Sequence, residues 1–91
     1  MSSLYQKVDD KTYVFEGKIS LHDFCKTLDL EPQHFDEVRG ESESLGGLML
    51  ELNKVMPLAG EVIKYDRMTF TVLTADEKRI KRIRVQLTDV E

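Results

Sequence analysis

The chain has 91 residues, 41% hydrophobic and 33% charged, which suits one globular domain with a modest core. A net charge of −4 argues against nucleic acid as a partner, and a lone cysteine, Cys25, excludes an internal disulfide and fits a reducing compartment. The first twenty residues hold no apolar leader, and the longest aliphatic run, Leu48-Met49-Leu50, is far too short to cross a bilayer.

The charge is uneven: residues 1–45 carry 5 basic and 10 acidic side chains, residues 46–91 carry 8 and 7. Such asymmetry either orients the domain against a partner or describes a solvated surface.

Residues 1–10 are polar and are expected to be a flexible N-terminal segment, with Met1-Ser2-Ser3 a remnant of expression. Thr12–Glu16 is β-prone, with Tyr13 and Phe15 on one face and Val14 on the other. Ser20 reads as an N-cap with Asp23 as its capping partner, and Leu21, Phe24, Cys25 and Leu28 form one helical stripe. Pro32 biases Glu31 away from helical geometry, so the helix should stop near Leu28–Leu30. Residues 31–43 are acidic and irregular, anchored by Phe35 and Val38.

Ser44 caps the next helix, whose stripe is Leu45, Leu48, Met49, Leu52 and Met56, with Leu50 roughly opposite. Pro57 and Gly60 are its expected stop. Three strand-like runs follow, Glu61–Tyr65, Met68–Ala75 and Arg79–Leu87, joined by connections short enough for an antiparallel meander. Ile80 is out of phase with Ile83, Val85 and Leu87, and a bulge near Lys81-Arg82 would restore the register. The order βααβββ predicts a two-layer α+β domain over residues 11–88, helices on one face of the sheet, with a tail at 89–91.

Gly46 and Gly47 are the unusual pair, since glycine weakens a helix. Following the Ser44 cap, they either leave first-turn N–H groups open to a phosphate or carboxylate, or let the helix end pack tightly on a strand. No G-x-G-x-x-G or P-loop pattern accompanies them. The basic run Lys78, Arg79, Lys81, Arg82 and Arg84 either contacts an acidic partner or protects a strand edge, and its lack of interleaved aromatics counts against RNA. Leu50 is a candidate partner contact or an ordinary exposed leucine. His22 and His34 lack zinc-site spacing, the acidic stretch has no EF-hand pattern, and Ser20, Ser42 and Ser44 lack a nucleophile elbow. Cys25 lies on an apolar stripe. No catalytic or metal-ligating residue is therefore assigned, and an enzyme is not expected.

Glu43-Ser44-Leu45-Gly46-Gly47-Leu48 through Pro57 and Gly60-Glu61, then Phe70–Leu73, then Arg79-Ile80-Lys81-Arg82-Ile83-Arg84-Val85, resembles the CorC/HlyC transporter-associated domain in motif order and spacing. The resemblance covers roughly residues 12–87 and is strongest from Glu43 onward. It implies a fold like that of FAD-binding and transporter-associated domains, and a cytoplasmic regulatory module of a bacterial inner-membrane protein. Such a parent carries a membrane domain and a CBS-domain pair and is linked to magnesium and cobalt efflux, or is haemolysin-like, with gliding-associated relatives. It implies no catalytic residues. Partners would be the CBS pair and membrane domain of the same parent, or a second copy, with Leu50, Arg79, Lys81, Arg82 and Arg84 as contacts. An adenine nucleotide or FAD would bind at Ser44, Gly46 and Gly47. This chain is then either an excised domain or a free-standing protein.

Overall fold

The computed structural model describes residues 4–88; the expected expression remnant at 1–3 and the tail at 89–91 lie outside the described residues. Among them are five strands and two helices: β1 (Tyr5–Asp9), β2 (Thr12–Glu16), α1 (Leu21–Thr27), α2 (Leu45–Asn53), β3 (Val62–Tyr65), β4 (Met68–Ala75) and β5 (Ile80–Leu87). The strands form one antiparallel sheet in the order β1-β2-β5-β4-β3. The α+β class, the meander and the single helical layer are as the sequence predicts.

Two elements differ from expectation. The N-terminal segment expected to be flexible contains β1, so the order is ββααβββ. All five β1 residues are exposed, which is why no apolar alternation announced the strand. It is held by backbone pairing to β2, Tyr5 opposite Phe15 and Lys7 opposite Tyr13, as an edge strand. The second difference is the end of α2, which stops at Asn53 rather than at Pro57. Lys54 takes the left-handed conformation (φ 74°) and its N–H returns to the Leu50 carbonyl, 2.8 Å away. Pro57 only forbids the helix from running through it, and the left-handed cap at Lys54 sets where it ends. Met56 therefore reaches the core from a loop, where it stays half-buried.

The inner face of the sheet supplies Phe15, Ile63, Met68, Phe70, Val72, Ile83 and Val85 to one core with Leu21, Phe24, Cys25, Leu45, Leu48 and Met49 of the helices. Phe24 joins the two layers, its ring 4.7 Å from Phe15 and 6.2 Å from Phe70. The expected bulge in β5 is present: Val72 faces Ile83 and Ala75 faces Ile80, with the register shifting between them. This lets Ile80 and Ile83 both point inward, at 4% and 0% exposure.

The two helices start side by side. Ser20 and Ser44 form an isolated antiparallel bridge. The Leu21 N–H donates to the Glu43 carbonyl (2.8 Å) and the Leu45 N–H to the Ile19 carbonyl (2.9 Å). Each serine hydroxyl also caps its own helix, accepting from Asp23 N–H at 3.0 Å and from Gly47 N–H at 3.1 Å.

Candidate functional site

The Gly46-Gly47 helix start sits on the loop after β2 and on the beginning of β5. The Gly46 N–H donates to the Gly17 carbonyl at 2.8 Å, and the Leu48 N–H to the Ser44 carbonyl at 2.9 Å. With Leu45 and Gly47 bonded as above, every first-turn amide of α2 already has an acceptor. A β-carbon on Gly46 would lie 3.1 Å from the Gly17 oxygen; one on Gly47 would lie 2.9 Å from Ser42 Cβ. One on Gly17 would lie 2.0 Å from the Ile80 oxygen, deep inside contact distance. The glycines thus permit close packing of three backbones, and an anion beside them would have to be held by side chains.

Such side chains are present. A groove of about 430 Å³ runs along this packed junction, bounded by Ser44, Gly46, Gly47, Leu50, Met56 and Ile80, with Lys18, Lys78 and Arg79 on its rim. Of the residues singled out from the sequence, Ser44, Gly46, Gly47, Leu50 and Arg79 are brought together here. Lys81 and Arg82 line an adjoining hollow of about 340 Å³, which shares Lys18 and Arg79 with the groove. Arg84 stands apart, on the sheet face away from the helices, between Val14 of β2 and Thr71 of β4. Lys18 and Met56 belong to the groove although neither carries a motif; only the fold places them there.

The rim is shaped by the β4–β5 turn. Asp76 Oδ1 accepts the backbone N–H groups of Lys78 (2.8 Å) and Arg79 (2.9 Å), and Oδ2 lies 3.5 Å from Lys81 Nζ. The two N–H bonds, then the Lys81 ammonium, lower the Asp76 pKa below the ordinary carboxylate value. The turn therefore points Lys78 and Arg79 outward while neutralising Lys81. Lys18 lies 3.9 Å from Glu16, and among the described residues Lys78, Arg79 and Arg82 are the rim cations without a carboxylate partner.

The other residues weighed from the sequence lie elsewhere. Cys25 is buried, and burial, with the Asp36 carboxylate second, pushes its thiol pKa up. His34 bonds Asp66 at 3.0 Å and packs edge-on against Phe35, tying the irregular acidic segment to the β3–β4 turn. No group of three or more His, Cys, Asp or Glu side chains suited to a metal occurs among the described residues, nor does any helix long and apolar enough to cross a membrane.

Two helices on one five-stranded antiparallel sheet, with a helix start stitched to a strand by glycines and a groove with a basic rim beside it, define a small domain of α+β class. The chain belongs to the CorC/HlyC family, described as the transporter associated domain, whose sequence pattern matches residues 6–89. A solved relative is the transporter associated domain from a CBS domain protein of Porphyromonas gingivalis. It is 33% identical with a TM-score of 0.85, over 96% of this chain and 100% of that one. The CorC_HlyC domain of Nitrosomonas europaea is 25% identical with a TM-score of 0.81, over 97% and 100% of the two chains. A domain from a Xylella fastidiosa haemolysin, described in complex with Mg²⁺ and Mn²⁺, shares the fold at 16% identity and a TM-score of 0.77, over 96% and 100%. No curated protein matches the chain.

Proposed function

We propose that this domain is a non-catalytic, cytoplasmic regulatory module of a bacterial CBS-containing membrane ion transporter of the magnesium/cobalt-efflux or haemolysin-like kind. The observation that carries the reading is the groove: it joins the Gly-Gly helix start, the 39% exposed Leu50 and Arg79 in one surface without assembling a nucleophile and a base. The relationship to a domain of a CBS protein supplies the context. The groove docks on the CBS pair of the parent or on a second copy. Regulation then requires that this contact differ between two transporter states, because only a differential interaction shifts an equilibrium.

Leu50→Asp is expected to leave the melting temperature of the isolated domain nearly unchanged, since a surface substitution costs within about 0.5 kcal/mol. It should weaken capture of the parent's CBS pair, or self-association in light scattering. Unchanged association in both measurements would falsify the docking role of the groove.

A second reading, a sensor for an adenine nucleotide, FAD or another anion, is favoured by one observation: Lys18, Lys78 and Arg79 rim the groove beside Ser44, Gly46 and Gly47. Thermal unfolding with AMP, ATP, FAD, Mg²⁺ and Co²⁺ at fixed ionic strength tests it. A ligand at about 100 times its dissociation constant adds roughly 2.7 kcal/mol. For a domain of this size that raises the midpoint by about 10 °C or more. A shift that survives in Lys78→Gln/Arg79→Gln places the ligand elsewhere, and no shift with any of them removes the sensor reading.

A further inference from the structure

The sheet has a second face, turned away from the helices. Its residues follow from the register: Thr12, Val14 and Glu16 of β2 lie opposite Gln86, Arg84 and Arg82 of β5, while Thr69 and Thr71 of β4 lie opposite Lys64 and Val62 of β3. Arg82, Arg84 and Lys64 are all exposed. The hollow at one end of this face contains Glu16, Thr74 and Arg82 together with Lys18, Arg79 and Lys81, so the cationic surface continues onto the β4–β5 turn and Lys78.

The distribution of charge is lopsided. This face and its turn hold seven of the 13 cations, against Glu16, Asp76, Glu77 and, at the far rim, Asp9. Among the described residues, the remaining six cations share the rest of the domain with 11 of the 15 carboxylates. A protein of net charge −4 thus presents one net-positive face. The opposing charge lies on and around the helical layer, and the molecule is 28 Å across even in its shortest dimension. Electrostatic fields fall off over about 8 Å at physiological ionic strength. A partner touching the sheet therefore experiences the near face, not the net charge.

The outward positions also lack the aromatic rings that anchor many protein interfaces. Tyr13, Phe15, Tyr65 and Phe70 fall at the inward positions of their strands, and Tyr5 stacks on Phe15 from the same side. The outward positions carry threonine, valine, glutamine, Glu16 and the cations. Energetically dominant protein contacts are enriched in tryptophan, tyrosine and arginine seated in pockets, and single-stranded nucleic acids need stacking rings. A face whose outward positions are cationic and without aromatic rings suits a surface recognised by charge.

We propose that the outer sheet face and the β4–β5 turn dock against the surface of an anionic phospholipid bilayer, with the helical layer facing away. The contact is peripheral: threonine and valine lie at headgroup level and no segment inserts. It leaves Leu50 itself accessible but shares Lys18, Lys78 and Arg79 with the rim of the groove, so only the outward strand positions, Arg84 among them, belong to this contact alone.

The test is co-sedimentation of the chain with vesicles of phosphatidylcholine alone or mixed with about one third phosphatidylglycerol, at low and at physiological salt. Binding is expected only to the anionic vesicles, weakening as salt rises. Each lysine or arginine near such a surface is worth about fivefold in partitioning, so Arg84→Gln should lose about fivefold and Arg84→Glu about thirtyfold. Lys26→Glu, with the same charge change on exposed α1, should lose far less. Circular dichroism checks that each variant is folded, and Arg84→Gln carries the test if the glutamate variant is not. No binding to anionic vesicles at low salt overturns the proposal. So does an equal loss in Arg84→Glu and Lys26→Glu, because net charge rather than the face would then be responsible.

Discussion

At the scale of single residues, Gly17 constrains the molecule more tightly than the conspicuous Gly46-Gly47 pair. Its φ lies outside the left-handed region, yet a β-carbon there would lie 2.0 Å from the Ile80 oxygen and 3.0 Å from the Ile80 carbonyl carbon. Those are backbone atoms of a strand, which cannot rotate aside as a side chain can. The Gly17 N–H also donates to the Lys81 carbonyl at 2.8 Å, so the two segments are clamped at the bulge. Gly17→Ala is expected to force them apart and to cost about 2–3 kcal/mol, the scale of overpacking in a tight site. Urea unfolding would read this as a lower midpoint at unchanged slope. An alanine variant as stable as the parent would show that the junction is looser than its geometry indicates.

At the scale of elements, the turns are built by aspartates. Asp9 Oδ1 accepts the Lys11 N–H in the β1–β2 turn (2.9 Å), and Asp76 accepts two N–H groups in the β4–β5 turn. Both pKa values are lowered, in each case first by those backbone bonds. A carboxylate whose pKa falls on folding stabilises the fold above its unfolded value, near 3.9. That contribution declines as pH falls through the lower folded value. Asp76→Asn keeps an acceptor oxygen but removes the charge. Its urea midpoint should lie below that of the parent at neutral pH, and the gap should close as pH drops below about 4. A gap that persists unchanged at pH 2 to 3 would assign the effect to hydrogen-bond geometry rather than to charge.

Much of the element plan was legible beforehand because it rests on local chemistry. Ser20 and Ser44 announced both helix starts, and the phase slip of Ile80 announced the bulge. β1 was not legible, since Tyr5-Gln6-Lys7-Val8-Asp9 has no fully buried side chain and is held chiefly by its pairing to β2. The end of α2 was misplaced because Asn53-Lys54 adopts its cap without a glycine to signal it. For the candidate site, the sequence supplied Ser44, Gly46, Gly47, Leu50 and Arg79 as separate motifs. Their convergence depends on β5 returning beside the loop after β2, a contact between residues more than sixty apart. Lys18 had no signal at all, being one lysine after a glycine.

At the scale of the whole molecule, the sheet divides two kinds of surface. The helical side holds the core, the groove and most of the acidic residues; the outer side is polar, cationic and free of rings. A module attached to a transporter would gain from such a division, because one side sets its orientation while the other remains available for contact.

The bridge between Ser20 and Ser44 has a consequence for how the chain reaches this state. Helices of 7 and 9 residues are too short to persist alone in water. Here the first amide of each is held by the carbonyl of the residue that precedes the other's cap. Neither helix can complete its start until the segment between the two serines has closed into a loop. The entropy of that closure is met once and serves both helices. Their starts are therefore coupled, and the two short helices are expected to melt together.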